Sequence, residues 1–171
     1  MVLRYERHVQ RNYCDMLKLI RQSGNTLEYW ETWKDGDKLV VHWGTVGDVG
    51  EHITHSLQGK HVNTVQRELA ANARKLGFME IRPEQYRDIT LNYPIIGFGT
   101  TDDLSKRHAI ESLLDNALGW LGNGHCSGGE IGSGSMSVFC QVLDQENAVR
   151  IIKALLTENN LFDDATIEDE E

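Results

Sequence analysis

Three alternating segments separated by two glycine-containing turns constrain the fold of this chain most. "TLEYWETW" (26–33) alternates side chains between two faces and is rich in aromatic and β-branched residues, which suit a pleated strand. "KDGD" (34–37) carries the Asp-Gly signature of a hairpin turn, and "KLVVHWGTV" (38–46) is its return strand. A second turn, "GDVG" (47–50), leads into "EHITHSL" (51–57). The pattern predicts an antiparallel meander of at least three strands.

The segments on either side extend this unit. "VLRYERHV" (2–9) predicts a first strand, whereas "YCDMLKLIRQ" (13–22) has mixed periodicity and fits a strand or a short helix. "VNTVQRELAANARKLG" (62–77) changes to a helical period, with Gly77 placed to end the helix. "FMEI" (78–81) returns to the sheet. The expected apolar stripe of the helix consists of Val62, Val65, Leu69, Ala73 and Leu76.

A linker at "RPEQYRD" (82–88) separates this unit from a second one, so we expect domains at 1–81 and 88–171. The second domain is predicted to run strand–helix–strand–helix–strand. In order, its segments are an extended stretch at 89–99 with a bend at Pro94, a helix at 102–122, a glycine loop at 122–135, a buried strand at 136–144, a helix at 145–159 and a short strand in "ATIEDEE" (165–171).

The helix at 102–122 is expected to start with Asp102 or Asp103 as its cap. Its expected apolar face consists of Leu104, Ala109, Leu113, Leu114, Ala117, Leu118 and Leu121. The fold class is therefore α+β, an antiparallel meander with one helix followed by a smaller α+β module.

Charge is distributed unevenly between the two halves. Residues 1–87 contain 13 Lys+Arg and 11 Asp+Glu, a balance of +2, and residues 88–171 contain 4 and 15, a balance of -11; together they give the net charge of -9. An acidic field of this kind repels phosphates and attracts basic partners. It also serves solubility, the simpler explanation.

The stretch "VVHWGTVGDVGEHITHSL…ELAANARKLGF" resembles the WGR domain family, named for its Trp-Gly-Arg triplet. Trp43 and Gly44 occupy the first two motif positions, and Gly47 and Gly50 match the glycines that follow. The helix end at 75–78 matches the close of the family pattern. The resemblance covers roughly residues 1–81 and implies the fold of that half.

In the DNA-dependent poly(ADP-ribose) polymerases, the WGR domain helps recognise a broken DNA end, with its tryptophan packed against the terminal nucleotide. Here Trp43 could offer a stacking face, or it could be a core aromatic residue. Thr45 stands where the motif has arginine and supplies neither a charge nor a planar group of donors. The basic residues Lys38, Lys60, Arg67, Arg74 and Lys75 are interspersed with acids. Because DNA affinity rests largely on phosphate neutralisation, we expect weak DNA binding.

The glycine loop "GNGHCSGGEIGSGS" (122–135) does not fit a nucleotide site. It follows a helix and precedes a strand, the reverse of a P-loop, and its single charge is Glu130. His125-Cys126 suggests a nucleophile, yet nothing nearby would stabilise a thiolate. We expect a turn cysteine there, and reduced thiols at all three cysteines, because their number is odd and no C-x-x-C spacing occurs.

Metal binding is also not expected. His52 and His55 are three residues apart in a predicted strand and so face opposite sides, while His125, Cys126 and Glu130 lack a recognised ligand spacing. Cofactors and catalytic residues are expected to be absent as well.

The chain is therefore expected to be a non-enzymatic, cytoplasmic binding protein with a basic protein partner. The most concrete version is a bacterial immunity protein or antitoxin that covers the active site of a toxin. Its candidate contacts are Trp43, Trp120, Glu130, Asp163 and Asp164. The alternative is a nucleic-acid-end-binding module in DNA or RNA metabolism that uses Trp43. A membrane partner is not expected, because the sequence contains no apolar run of spanning length.

Overall fold

The structure is a computed structural model that describes residues 16–169. The chain divides into two compact units, and the boundary lies between Pro83 and Glu84. The strand predicted at 2–9 lies outside the described residues. Among residues 16–169, no helix has the length and apolar character needed to cross a membrane.

The first unit is the predicted antiparallel meander. Its strands are β1 (Leu17–Ser23), β2 (Thr26–Asp35), β3 (Lys38–Thr45), β4 (Glu51–Ser56) and the short β5 (Met79–Glu80). They form one sheet in the order β4-β3-β2-β1-β5. The ambiguous segment 13–22 is strand from Leu17 onward, and β1 pairs with residues 26–32 of β2, from Leu17↔Thr32 to Ser23↔Thr26.

Within the described residues of this unit, one helix, α1 (Val62–Lys75), packs on the sheet through a face that overlaps the predicted stripe but is rotated toward Gln66 and Ala70. Its buried residues are Gln66, Ala70 and Ala73, and the two alanines join a cluster with Leu19 and Phe78. Leu76 is 65% exposed because the helix has already ended: it is the residue after Lys75, outside the packed turns. The buried Gln66 side chain keeps a hydrogen-bond partner, because its amide nitrogen donates to the Thr32 hydroxyl at 2.7 Å.

The second unit is also α+β but has one strand more than predicted. Its elements are β6 (Arg87–Pro94), α2 (Thr101–Trp120), β7 (Gly124–Gly132), β8 (Ser135–Val142), α3 (Gln145–Glu158) and β9 (Thr166–Asp169). The sheet has the order β7-β8-β6-β9, and all neighbouring strands are antiparallel. This β-α-β-β-α-β succession is the split βαβ arrangement of ferredoxin-like sheets.

The predicted glycine loop at 122–135 was wrong, since most of it is strand β7. Two of its glycines, Gly124 and Gly129, allow close approach to β8. A Cβ added at Gly124 would lie 2.0 Å from the Gln141 carbonyl oxygen, and one added at Gly129 would lie 2.4 Å from that of Ser137. At these two positions the glycines serve the packing of β7 against β8.

Helix α2 begins one residue earlier than predicted and has a different cap. Thr100 is the N-cap, and Asp103 completes a capping box by accepting a hydrogen bond from the Thr100 amide at 2.7 Å. The buried face of the helix is Ile110, Leu114, Ala117, Leu118 and Gly119. Leu104, which was expected on that face, is 42% exposed because it lies in the first turn, at the end of the unit.

Candidate functional site

The first unit contains a buried polar chain that runs across strands β1, β2 and β3. The Tyr29 hydroxyl lies 2.9 Å from His42 Nε2, and His42 Nδ1 lies 2.9 Å from Glu31 Oε1. Lys18 Nζ reaches the other Glu31 oxygen at 3.1 Å. Tyr29, Glu31 and His42 are fully buried, so these contacts replace the water that the side chains lose on folding.

Gly44 and Gly50, which follow Trp43 in the sequence, pack against the Tyr29 end of these hydrogen-bonded side chains. A Cβ on Gly50 would lie 2.1 Å from the Tyr29 hydroxyl and 2.3 Å from the Trp43 carbonyl oxygen. A Cβ on Gly44 would lie 2.9 Å from the Gly50 Cα. Two motif positions that the family resemblance singled out thus have a packing reason, which requires no ligand.

An aromatic cleft with a volume of about 400 Å³ lies beside the buried polar side chains, and Tyr29 belongs to its lining. Trp30 and Trp43, directly opposite each other on β2 and β3, line it together with Phe78. Thr45 is also part of the lining. Trp43 is therefore half-buried and lines this cleft.

The cation in this cleft, Arg21, is already engaged by the protein. Its guanidinium donates to a Glu28 carboxylate oxygen at 2.8 Å and to the Leu76 carbonyl oxygen at 2.7 Å, and it lies 4.6 Å from the centre of the Phe78 ring. A phosphate entering the cleft would have to compete with the Glu28 carboxylate. Arg21 therefore does not restore the charge that Thr45 lacks.

The second unit presents a different surface at one end of its sheet. The loop Ile95–Gly99, which we call the apolar loop, exposes Ile96 by 95% and Phe98 by 83%. The backbone holds this loop firmly. Ile95 N–H donates to the Gly134 carbonyl oxygen at 3.1 Å, and Gly134 N–H donates to the Gly97 carbonyl oxygen at 2.7 Å. Two large apolar side chains are thus displayed on an ordered backbone rather than on a loose one.

Acidic residues lie at the same end of the sheet as this loop, as the strand register shows. Pro94, at the end of β6, pairs with Ser135 at the start of β8, and Asn92 pairs with Thr166 at the start of β9. The ends of β6 and β7 and the starts of β8 and β9 therefore meet at one end of the sheet. The acids found there are Asp102 and Asp103 in the first turn of α2, Glu130 near the end of β7, and Asp163 and Asp164 in the turn before β9. We call this surface, with the apolar loop, the acidic end.

Two cations lie close in sequence to the acidic end, and the charge of Lys106 acts on Asp103. Lys106 Nζ lies 4.3 Å from the centre of the Tyr93 ring, and Arg107 lies 3.4 Å from a Glu111 carboxylate oxygen. Tyr93 in turn donates its hydroxyl hydrogen to the Leu161 carbonyl oxygen at 2.7 Å, which ties the Asp163–Asp164 turn to the sheet. The surface keeps its negative character because its five carboxylates outnumber these two cations.

The candidate residues chosen from sequence are only partly brought together. Glu130, Asp163 and Asp164 lie at the acidic end, although Glu130 lies on a strand and not in the predicted loop. Trp120 ends α2, so it lies about 30 Å along the helix from that end. Trp43 belongs to the first unit. Sequence reasoning missed Ile96 and Phe98; the available signal was the run "PIIGFG", which places large apolar residues between a proline and glycines.

His125 and Cys126 contact different partners, and the His125 ring lies edge-on to Tyr86 with the ring centres 5.9 Å apart. The Cys126 sulfur contacts the Cys140 sulfur at 3.0 Å, and this contact, burial and the carboxylates of Asp115 and Glu111 raise the pKa of the Cys126 thiol. A protonated thiol is a poor nucleophile.

Within the described part of the chain, no group of three or more His, Cys, Asp or Glu side chains could hold a metal ion. No family model, curated protein or solved structure matches this chain.

Proposed function

We propose that this chain is a non-enzymatic binding protein that captures a basic protein partner through its acidic end. The observation that carries the proposal is the apolar loop, where Ile96 is 95% exposed and Phe98 is 83% exposed, at the end of the sheet where the acidic residues also lie. The concrete form is a bacterial cytoplasmic immunity protein or antitoxin that covers the active site of a basic toxin. Exposed apolar residues set among charges are typical of interaction sites.

The apolar loop supplies the anchor of the proposed interface. Burying one large apolar side chain contributes roughly 1.5–3 kcal/mol, so Ile96 and Phe98 together can dominate a complex. The two hydrogen bonds to Gly134 hold the loop before binding, which reduces the entropy lost on association. A partner with an apolar pocket fits this surface.

The carboxylates supply attraction at a distance. Asp102, Asp103, Asp163 and Asp164 would draw a basic surface toward the apolar loop, since complementary charge mainly raises the association rate. Screening shortens this reach from about 10 Å at 0.1 M ionic strength to about 3 Å at 1 M. The association rate should therefore fall with salt, while the dissociation rate changes little.

The test uses the partner recovered by affinity from the native organism, followed by binding kinetics on purified proteins. Ile96→Ser with Phe98→Ser should raise the dissociation rate at least tenfold, because the anchor is lost. Val49→Ser with Ile53→Ser, which alters two exposed apolar residues of the first unit, is the matched control and should bind like wild type.

Charge is tested separately with Glu130→Lys, Asp163→Lys and Asp164→Asn combined. Asparagine is used at Asp164 because its φ of 63° disfavours lysine. This variant should associate more slowly and lose most of its salt dependence. The control makes the same charge change elsewhere, with Asp35→Lys, Asp37→Lys and Asp48→Asn. If both the anchor and the charge variants bind as wild type does, the acidic end is not the binding site.

A second candidate function is recognition of a nucleic-acid end, favoured by the pair Trp30 and Trp43 in the aromatic cleft. A base stacked on Trp43 would contribute about 1–3 kcal/mol. We nevertheless expect no saturable binding of a blunt 5′-phosphorylated duplex at near-physiological salt, because Thr45 is neutral and Arg21 is paired with Glu28. Fluorescence anisotropy of a labelled duplex measures this. Submicromolar, end-dependent binding that Trp43→Ala abolishes would replace the first proposal with this one.

A further inference from the structure

Two cysteines face each other across the β7–β8 hairpin of the second unit. Cys126 on β7 and Cys140 on β8 are direct partners in the strand register, and their sulfur atoms lie 3.0 Å apart. Both are free thiols. They are far apart in sequence and share no spacing motif, so only strand pairing reveals the contact.

The backbone at this pair suits a covalent bond. Directly opposite Cα atoms in an antiparallel ladder are about 4.5–5.5 Å apart, within the range of about 4.4–6.8 Å that disulfides span. The Cys126 amide donates to Asp115 Oδ1 at 3.0 Å, and the register shifts just after Cys126. The two sulfurs are already in contact, so closing the bond needs only a small adjustment at this irregular point of the strand.

We propose that Cys126 and Cys140 form an oxidation site that closes into an intramolecular disulfide when the chain meets a hydroperoxide. Cys126, the more exposed of the two, attacks the terminal peroxide oxygen as a thiolate. The O–O bond breaks, water or an alcohol leaves, and Cys126 becomes a sulfenic acid. The Cys140 sulfur then attacks the Cys126 sulfur, and hydroxide leaves with a proton as water. The two thiols lose two electrons and two hydrogens, and the peroxide is reduced.

The surroundings make this site slow and selective. The sulfur contact with Cys140, burial, and the carboxylates of Asp115 and Glu111 on α2 raise the pKa of the Cys126 thiol, so little thiolate is present at neutral pH. Reaction therefore requires sustained oxidant and accelerates as pH rises. Cys140 is 1% exposed, which protects it from direct attack and leaves it to close the bond.

The disulfide would cross-link the β7–β8 hairpin, which carries part of the acidic end. This holds whether or not the acidic end binds a partner. It would close the segment from Cys126 to Cys140, which contains Glu130 and the Gly134 turn that holds the apolar loop. A cross-link of this kind constrains the unfolded chain and so raises the thermal midpoint. Oxidation would thus stabilise the hairpin against unfolding.

The experiment treats the full chain with excess hydrogen peroxide, and separately with dithiothreitol, before alkylation and intact-mass measurement. The oxidised protein should lose two hydrogens, block two thiols, remain monomeric, and yield one cross-linked peptide pair containing Cys126 and Cys140. Its thermal midpoint should rise by several degrees and return after reduction. Cys14→Ser should behave like wild type, whereas Cys126→Ser and Cys140→Ser should form no such cross-link.

Both serine variants are compared with wild type by circular dichroism, and the native-sequence peptide map does not depend on either of them folding. Three results would overturn the proposal: full alkylation of both thiols after peroxide, a cross-link that includes Cys14, or sulfinic acid at Cys126 without a cross-link. Each of these outcomes leaves the proposed binding function untouched, because none measures a partner.

Discussion

Gly50 packs so closely against Tyr29 that a Cβ at this glycine would lie 2.1 Å from the tyrosine hydroxyl oxygen. The same Cβ would lie 2.9 Å from His42 Nε2, the group to which that hydroxyl is hydrogen bonded. The turn after β3 is thereby fixed against the buried polar chain of the first unit. Contacts with buried side chains therefore require a glycine at position 50.

Gly50→Ala should therefore destabilise the protein by about 1–3 kcal/mol or more, since overpacking a filled interior forces backbone and side chains to move. Chemical denaturation measures the loss. Gly132→Ala is the control, because a Cβ there meets open space and the backbone is not in the left-handed region. Equal stability of the two variants would contradict this account of Gly50.

Lys18→Met should lower the free energy of unfolding by about 3 kcal/mol, because it leaves the buried Glu31 carboxylate without the cation 3.1 Å away. The double variant Lys18→Met with Glu31→Gln should recover part of the loss, since no uncompensated charge remains. Urea denaturation of the two single variants and the double variant gives the coupling between the residues. Strictly additive losses would mean that the contact contributes nothing.

Burial raises the pKa of Tyr93 to about 12 from its ordinary value of 10.0. A group whose pKa is raised in the folded state gives its full stabilisation below its unfolded pKa and loses it as pH rises through the folded one. The contribution of Tyr93 should therefore decline between pH 10 and 12. Stability of wild type minus that of Tyr93→Phe, measured across this range, should fall with pH. A flat difference would show that Tyr93 ionises normally.

Thr100→Ala should destabilise the second unit by about 1 kcal/mol by removing the cap of α2. The Thr100 hydrogen bonds also lower the pKa of Asp103, so that pKa should move back up toward its ordinary range in the variant. Nuclear magnetic resonance titration of the Asp103 carboxyl follows it. Thr100→Ser, which keeps the hydroxyl, should retain both the stability and the lowered pKa.

The sequence by itself determined the regular elements of this protein. Alternation and turn residues at 26–57 gave the meander, since a two-residue period and the Asp-Gly turn are local properties that need no partner. Helical periodicity located the three α-helices of residues 16–169 to within a few residues of their observed ends. The change in charge between the halves was likewise visible, because composition is additive along the chain.

Tertiary structure alone decided which residues meet. The glycines at 122–135 suggested a loop, but at Gly124 and Gly129 the lack of a side chain serves contact with β8, a separate segment of the sequence. The buried Glu31, the exposed Phe98 and the facing sulfurs of Cys126 and Cys140 all depend on strand register or on the path of a loop. Local patterns indicate the approximate inward face of an element, but contacts between distant residues depend on how the elements pack together, which periodicity does not encode.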